Sequence, residues 1–224
     1  MITCSRTPTI WNTFGLEMRP NFDITVEIKR QIARFWGIQH PHRIHETTLH
    51  AQSVLVWCAV SAQDPIGPFI YEDYVTGENY AMMLDSFLPQ LRRRRCTLHA
   101  QWFQQDGARP HTNPEVLEFR HSKFQHRTVF IPYPQQFQCG FSWPPWTPDL
   151  NPCDYFLWGY LKDKVFSSAP RTLPQLKEKI KESCAQVTGG MLTRVVQNFV
   201  LLLQAVRESQ GAHIEHVIHN ATHM

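Results

Sequence analysis

The stretch TLHAQWFQQDGARPH, residues 97–111, joins a predicted strand to an isolated acidic residue. Residues 97–106 are typical of a strand, and Asp106 ends it just before Gly107 and Ala108 interrupt the pattern. An aspartate in this place is commonly a turn residue or a helix cap. It acquires a chemical role only where other carboxylates converge on it, so the rest of the chain must supply its partners.

The bulk composition sets loose limits on the class of protein. The 224 residues suit one domain or a domain with a small appendage, and 22 Lys and Arg against 19 Asp and Glu permit nucleic-acid binding without requiring it. Six cysteines without a Cys-x-x-Cys pair argue against a zinc ribbon or a disulfide scaffold. With no secretory leader pattern and no apolar run of membrane-spanning length, we expect a soluble intracellular protein that has no membrane contact.

Strand and helix signals alternate along the chain, which indicates an α/β or α+β fold. The predicted strands are 22–28, 52–61, 69–75 and 97–106, and the predicted helices are 77–91, 113–124, about 172–187 and about 190–209. The residues predicted to mark turns and helix ends are Pro65 and Gly67 before the third strand, Asn113 and Pro114 at the start of the second helix, Thr172 as the cap of the third, and Gly211 after the last.

A first partner for Asp106 comes from the proline-rich segment WPPWTPDLNPCDYFLWGYLKDKVF, residues 143–166. Asn151 and Pro152 break the loop, and Asp154 falls in the first turn of a predicted aromatic helix. An acid there also gains from the helix dipole, so Asp154 can equally be a simple N-terminal helix acid. Asp149 can equally be a turn former, and periodicity does not choose between these two acids.

Two segments together resemble a known family. QQDGARPH, followed by WPPWTPDLNPCDYFLWGYLKD, is similar to the signature of mariner-type transposases, in the DDE-endonuclease group. Further similarity runs through residues 34–73 and 211–217, so the resemblance covers the chain from about Phe22 onward. It implies that Asp106 is the second catalytic carboxylate and Asp154 the third, and that both are metal ligands.

The resemblance also implies a fold, an activity and partners. The expected fold is α/β, a ribonuclease-H-like mixed sheet flanked by helices, with a catalytic domain over 22–218 and a divergent stretch over 1–21 in place of an N-terminal helix-turn-helix region. The expected activity is cleavage of DNA at transposon ends and joining of the 3′-OH to a target, with Mg²⁺ or Mn²⁺. The expected partners are DNA and a second copy in a homodimer, without a small-molecule substrate, and the expected location is the nucleus.

The sequence departs from the family at the first catalytic acid. Relatives carry an S-D-E-A-x-F segment ahead of an R-[FYI]-W triplet, and counting back from Arg34 without gaps puts Met18 at the aspartate and Arg19 at the glutamate. Glu17 points to the opposite face of a regular strand, and Asp23 lies five residues on, so neither is an easy substitute. Two functions therefore stay open: a DNA strand-transferase that is impaired in this copy, or a non-catalytic nucleic-acid-binding relic or co-opted module.

Four other features have both a functional and an ordinary interpretation. Arg92 to Arg95 can contact phosphates or simply solvate a helix end, and His111 can orient a water or a phosphate or bond to loop backbone. The histidine triples 40, 42, 45 and 213, 216, 219 lack a fourth ligand, so no zinc site is predicted. Tryptophans among so many prolines are expected to pack on the core, and these are Trp143, Trp146 and Trp158.

Overall fold

The computed structural model describes residues 16–23, 52–61, 64–93, 102–130, 141–142 and 150–209. Its strands are β1 (Leu16–Asp23), β2 (Ser53–Val60), β3 (Pro65–Tyr71), β4 (Phe103–Gln104), β5 (Thr128–Phe130) and β6 (Phe141–Ser142). Its helices are α1 (Gly77–Arg93), α2 (Pro114–Phe124), α3 (Trp158–Ser167), α4 (Leu173–Ala185) and α5 (Gly189–Glu208).

The first three strands form an antiparallel sheet in the order β1-β2-β3, with helices on both faces. Alternate residues of β2 belong to two separate apolar clusters, as the period of a strand requires. Val54, Val56 and Cys58 join a first cluster with α3, α4 and α5. Trp57 and Ala59 join a second cluster with α1, α2 and Phe103. Because β2 is apolar on both faces, it is a central buried strand, as the sequence predicts.

Strand β1 begins at Leu16, six residues before the predicted start at 22, and a bulge interrupts its pairing with β2. Met18 lies opposite Trp57 and Asn21 opposite Leu55, so three steps in β1 match two in β2. Pro20 has no N–H to donate to the ladder, which is a physical reason for a bulge at this point. Because of the bulge, strict alternation counted from Met18 does not predict the sheet face of Asp23. Asp23 pairs with Ser53 and Met18 with Trp57, so the two β1 residues are separated by four β2 positions, roughly 13 Å.

Strand β3 also begins earlier than predicted. Pro65 and Gly67 were expected to form the turn, but both lie within β3. Gly67 has a φ of +106°, and a side chain there would come within 2.9 Å of the Trp57 carbonyl oxygen, so only glycine suits the close strand pairing. The connection is instead closed by the Ser61 hydroxyl, which donates to the Asp64 carbonyl oxygen at 2.9 Å and accepts from the Asp64 N–H.

The second sheet is parallel, in the order β4-β5-β6. The Phe103 N–H donates to the Arg127 carbonyl oxygen and the Gln105 N–H to the Val129 carbonyl oxygen, both at 2.9 Å. Strand β5 was not predicted, since its three residues are too few to show a period. Helix α2 begins at Pro114 as predicted, because the Asn113 side chain accepts a hydrogen bond from the Glu115 N–H at 2.8 Å.

The last three helices cover the first cluster. Thr172 caps α4 as predicted, and Thr188 caps α5 in the same way. Helix α5 is apolar and long enough to cross a membrane by length and composition alone, a test that core helices of soluble proteins also meet. Its four buried side chains are Leu192, Val195, Phe199 and Leu202. The Val195 carbonyl oxygen accepts a hydrogen bond from the Tyr155 hydroxyl at 2.9 Å, which links α5 to the helical turn Cys153–Leu157 just before α3.

Candidate functional site

Asp106 lies in the turn that follows β4. Its Oδ1 accepts a hydrogen bond from the Ala108 N–H at 3.0 Å, which is the local turn that short acidic side chains stabilise. One helical turn, Arg109–Thr112, then leads into α2. The ordinary interpretation of Asp106 as a turn former is therefore correct, and it is compatible with a second role because the carboxylate is about a quarter exposed, at 23%.

His111 lies under this turn and contacts the Asp106 carboxylate. Its Nδ1 is 2.5 Å from Asp106 Oδ1 and 3.3 Å from the Asp106 carbonyl oxygen. The imidazole is 99% buried, with 1% of its side chain exposed, and its ring centre is 4.7 Å from that of Tyr80. The backbone interpretation of His111 is confirmed, since its Nδ1 contacts the Asp106 carbonyl oxygen, and nothing in the sequence indicated the contact with the Asp106 carboxylate.

A buried polar network anchors the strand end next to Asp106. Gln105 donates to the Tyr80 hydroxyl at 2.7 Å and accepts from Arg120 Nη1 at 3.3 Å. The indole N–H of Trp57 donates to the same hydroxyl at 3.3 Å, and the Arg120 guanidinium lies 4.0 Å above the Phe130 ring. The network joins β2, α1, β4, α2 and β5 at one point. Sequence reasoning missed it, because Tyr80 gave only a helix-face signal and Gln105 only a strand signal.

The pKa of Tyr80 reports the electrostatics of this network. Burial is the main cause that raises the pKa of its hydroxyl well above the ordinary value, and the charge of Asp106 adds to it. The hydrogen bonds from Trp57 and Gln105 act in the opposite direction. The Tyr80 hydroxyl therefore stays protonated, and it serves as a neutral acceptor beside the acidic turn.

Asp154 lies in the wide helical turn Cys153–Leu157 that precedes α3, so its predicted place at a helix start is correct. Asn151 caps this turn: its Oδ1 accepts from the Cys153 N–H at 3.0 Å, and its Nδ2 donates to Asp154 Oδ2 at 3.2 Å. The Asp154 N–H donates to the Asn151 carbonyl oxygen at 2.9 Å. Helical turns of this wide type are often found at functional sites. Asp149 lies outside the described residues.

The donor set fits a divalent cation only in part. Asp106 and Asp154 supply hard oxygen donors, and the hydrogen bonds to Asp106 Oδ1 resemble the outer contacts that commonly support a ligating carboxylate. In the described ranges, no three His, Cys, Asp or Glu side chains converge closely enough to hold a metal ion. Met18 lies on β1, opposite Trp57 of β2. Asp106 and Asp154 are thus two hard donors on separate elements, fewer than the three acids that the family resemblance implies.

Exposed arginines lie near the Asp106 turn and at the end of α1. An open pocket of about 310 Å³ lies between the starts of α1 and α2, and its lining includes Arg109. The two helix starts can approach because residue 77 is glycine, and a side chain there would collide with Asn113. Arg92 and Arg93 are exposed in the last turn of α1. Several sequence predictions lie outside the described residues: Arg94, Arg95, Trp143, Trp146 and both histidine triples.

Comparison with known proteins identifies the fold. No protein-family model and no curated protein matches the chain. Among solved structures, the Mos1 transposase paired-end complex with the left transposon end matches with a TM-score of 0.65 and 16% identity, over 89% of this chain and 55% of that one. The catalytic domain of Mos1 mariner transposase matches with a TM-score of 0.60 and 16% identity, over 73% of this chain and 77% of that one. Its structure with raltegravir and Mn matches with a TM-score of 0.58 and 16% identity, over 73% of this chain and 78% of that one.

At this level of identity the likeness establishes the fold. The chain has the ribonuclease-H-like fold of the Mos1 catalytic domain, so the predicted fold class is confirmed. It spans 55% of the length of the Mos1 chain in the paired-end complex. The catalytic and metal-binding roles of Asp106 and Asp154 stay predictions.

Proposed function

We propose that this chain is a mariner-type, transposase-derived DDE domain that binds DNA, and that Met18 impairs strand cleavage in this copy. The observation that carries the proposal is the match to the Mos1 fold together with the two family acids at a strand end and a helix start. Asp106 has hydrogen-bonded support from two sides, and Asp154 is held by Asn151. The parent element of this chain, on this proposal, was a cut-and-paste DNA transposon.

The cofactor implied by the proposal is Mg²⁺ or Mn²⁺. Structures of the Mos1 catalytic domain include one with Mn and one with Mg. In this chain Asp106 and Asp154 would hold the ion, and when bound such an ion activates a water or a 3′-OH and stabilises the leaving oxygen in phosphoryl transfer. The chain's own contribution is to orient the two carboxylates, through His111 and Ala108 for Asp106 and through Asn151 for Asp154.

The proposed partner is duplex DNA, and the proposed location is therefore the nucleus. Mos1 neighbours include complexes with transposon-end DNA. Arg109 beside the Asp106 turn and Arg92 and Arg93 at the end of α1 are exposed guanidinium groups, which suit phosphate oxygens well. Contacts of this kind release counterions but do not read sequence, so we propose salt-dependent binding with little preference among duplexes. Pairing of two copies, as in a transposase dimer, belongs to the same proposal.

The second candidate is a nucleic-acid-binding module without catalysis, and Met18 is the observation that favours it. The residue is part of β1, next to the bulge, and it stands at the family's first catalytic position in the ungapped count. Since Mg²⁺ and Mn²⁺ prefer oxygen ligands, a methionine cannot replace the missing carboxylate. The fold and its phosphate contacts do not depend on that carboxylate, so DNA binding can persist when cleavage is lost.

The decisive experiment is Mn²⁺-dependent nicking of supercoiled plasmid. The natural chain should not nick, because only two of three acids are present. Met18→Asp should bind Mn²⁺ more tightly and produce open circles, and combining it with Asp154→Ala should abolish this gain. The double variant is the matched control, since it carries the restored acid but lacks another ligand.

Two outcomes would contradict parts of the proposal. Robust nicking by the natural chain that disappears in Asp106→Ala would show that the copy is active and that another group, such as Glu17 or Asp23, serves as the first acid. A lack of nicking in Met18→Asp, together with plasmid binding that is unchanged, would favour the non-catalytic module.

A further inference from the structure

We propose that His111 is a positioning residue that fixes the direction of the Asp106 carboxylate for binding of a divalent cation. The inference rests on the proposed function and deepens it. Its basis is the geometry of the pair: His111 Nδ1 lies 2.5 Å from Asp106 Oδ1, and only 1% of the His111 side chain is exposed.

The position of the proton on His111 follows from its neighbours. Nδ1 faces two oxygens, the Asp106 carboxylate at 2.5 Å and the Asp106 carbonyl at 3.3 Å, and neither can donate. Nδ1 therefore carries the hydrogen and donates it. Nε2 is buried, and it has no hydrogen-bond partner in the described part of the chain. No acceptor there favours the tautomer that is protonated on Nε2.

The imidazole itself is held rigidly. Its ring centre lies 4.7 Å from that of Tyr80, and the Tyr80 hydroxyl is in turn held by Gln105 and Trp57. The support of Asp106 thus reaches back through α1 to the central strand β2. The Ala108 N–H donates to the same carboxylate oxygen, at 3.0 Å, so two donors hold Oδ1.

This arrangement matters more for cation binding than for the fold. A carboxylate has about four acceptor sites on its two oxygens, so two hydrogen bonds to Oδ1 are compatible with metal ligation through Oδ2. Loss of an outer hydrogen bond that orients a ligating group commonly lowers metal affinity about 10–100-fold. A purely structural histidine would change the stability of the chain but leave its affinity for the cation unaltered.

Three substitutions separate these roles. His111→Asn places an amide nitrogen near the position of Nδ1 and keeps the donor to Asp106. His111→Gln extends its amide nitrogen toward the position of Nε2 and loses that donor, and His111→Phe keeps a ring against Tyr80 but has no nitrogen. The probe is Mn²⁺ alone, and the readout is its paramagnetic broadening of the Gly107 and Ala108 amide signals in NMR spectra, with ¹⁵N spectra of the imidazole to identify its tautomer.

We expect Nδ1 to be protonated. The amide signals of His111→Asn should broaden at the same Mn²⁺ concentration as those of the natural chain, whereas His111→Phe and His111→Gln should need a Mn²⁺ concentration about tenfold higher for the same broadening. Equal broadening in the natural chain, His111→Phe and His111→Gln would overturn the positioning role and leave the proposed function intact. A proton found on Nε2 instead of Nδ1 would have the same consequence. If His111→Phe does not fold, His111→Asn and His111→Gln decide by the same criterion. Absence of broadening in every variant, including Met18→Asp, would overturn the metal role of Asp106 and the positioning role with it.

Discussion

Tyr80→Phe is the sharpest test of the buried network beside Asp106. The substitution keeps the ring that lies against His111 and removes only the hydroxyl. That hydroxyl accepts two hydrogen bonds, from Gln105 Nε2 at 2.7 Å and from Trp57 Nε1 at 3.3 Å. All three side chains are buried, with Gln105 at 1% exposed and the other two at 0%, so water cannot replace the lost acceptor without rearrangement.

The expected cost follows from the two donors that lose their partner. A buried donor without an acceptor costs about 1–3 kcal/mol. The Trp57 bond is long and belongs at the low end of this range, whereas the Gln105 bond is short and belongs higher. We therefore expect Tyr80→Phe to lower the free energy of unfolding by about 2–5 kcal/mol, a large share of the stability of a typical domain.

Urea unfolding, followed by circular dichroism, measures this loss. The m value should stay constant, because the surface exposed on unfolding hardly changes. Tyr74→Phe is the matched control: its side chain is 89% exposed, so the same removal of a hydroxyl should change the free energy of unfolding by less than about 0.5 kcal/mol. If Tyr80→Phe is as stable as Tyr74→Phe, the network does not stabilise the strand end, and the proposed support for His111 is wrong.

Three further predictions concern the core, the turn and DNA. Trp158→Ala should lower the free energy of unfolding by about 3–5 kcal/mol in urea melts, whereas Trp158→Phe should cost much less, because the buried indole N–H has no acceptor in the described residues. Asp106→Asn should cost far less than Trp158→Ala, since its amide oxygen can still accept from Ala108 and His111; an equal loss in the same melts would mean that Asp106 is chiefly structural. Fluorescence anisotropy should show weak, salt-dependent binding to any DNA duplex, and the affinity should be lower when Arg92→Gln and Arg93→Gln are combined. A clear preference for transposon-end DNA over scrambled DNA would contradict sequence-independent contacts.

The proposed loss of chemistry and the persistence of the fold have separate physical causes. On the proposed function, the first acid of the family would stand at position 18 on β1, and methionine is a poor ligand for Mg²⁺ or Mn²⁺. The clusters on the two faces of the first sheet depend instead on apolar side chains such as Val56 and Trp57, and the turn at Asp106 depends on His111 and Ala108. A copy can therefore lose cleavage while retaining its fold.

Several features were predictable from sequence because their causes are local. The Asn113 and Thr172 caps depend on hydrogen bonds within three residues, so helix starts could be read from the chain. The apolar run of β2 predicted a central strand, since a strand that is buried on both faces needs apolar residues at successive positions. The two candidate acids, Asp106 and Asp154, came from motif resemblance, and the structure places them at a strand end and a helix start as expected.

Other features depended on residues far apart in the chain and needed the tertiary structure. The position of the bulge after Met18 and the entry of Gly67 into β3 are seen only in the pairing with β2, about 40 and 10 positions away. Tyr80 gives only a helical signal until folding brings its hydroxyl to Gln105, and His111 gives only a loop signal until its ring is buried against Asp106. By itself the sequence determined the helix starts and the central strand, because propensity and capping act within a few residues. Only the tertiary structure decided which side chains surround Asp106, because those contacts form between separate elements.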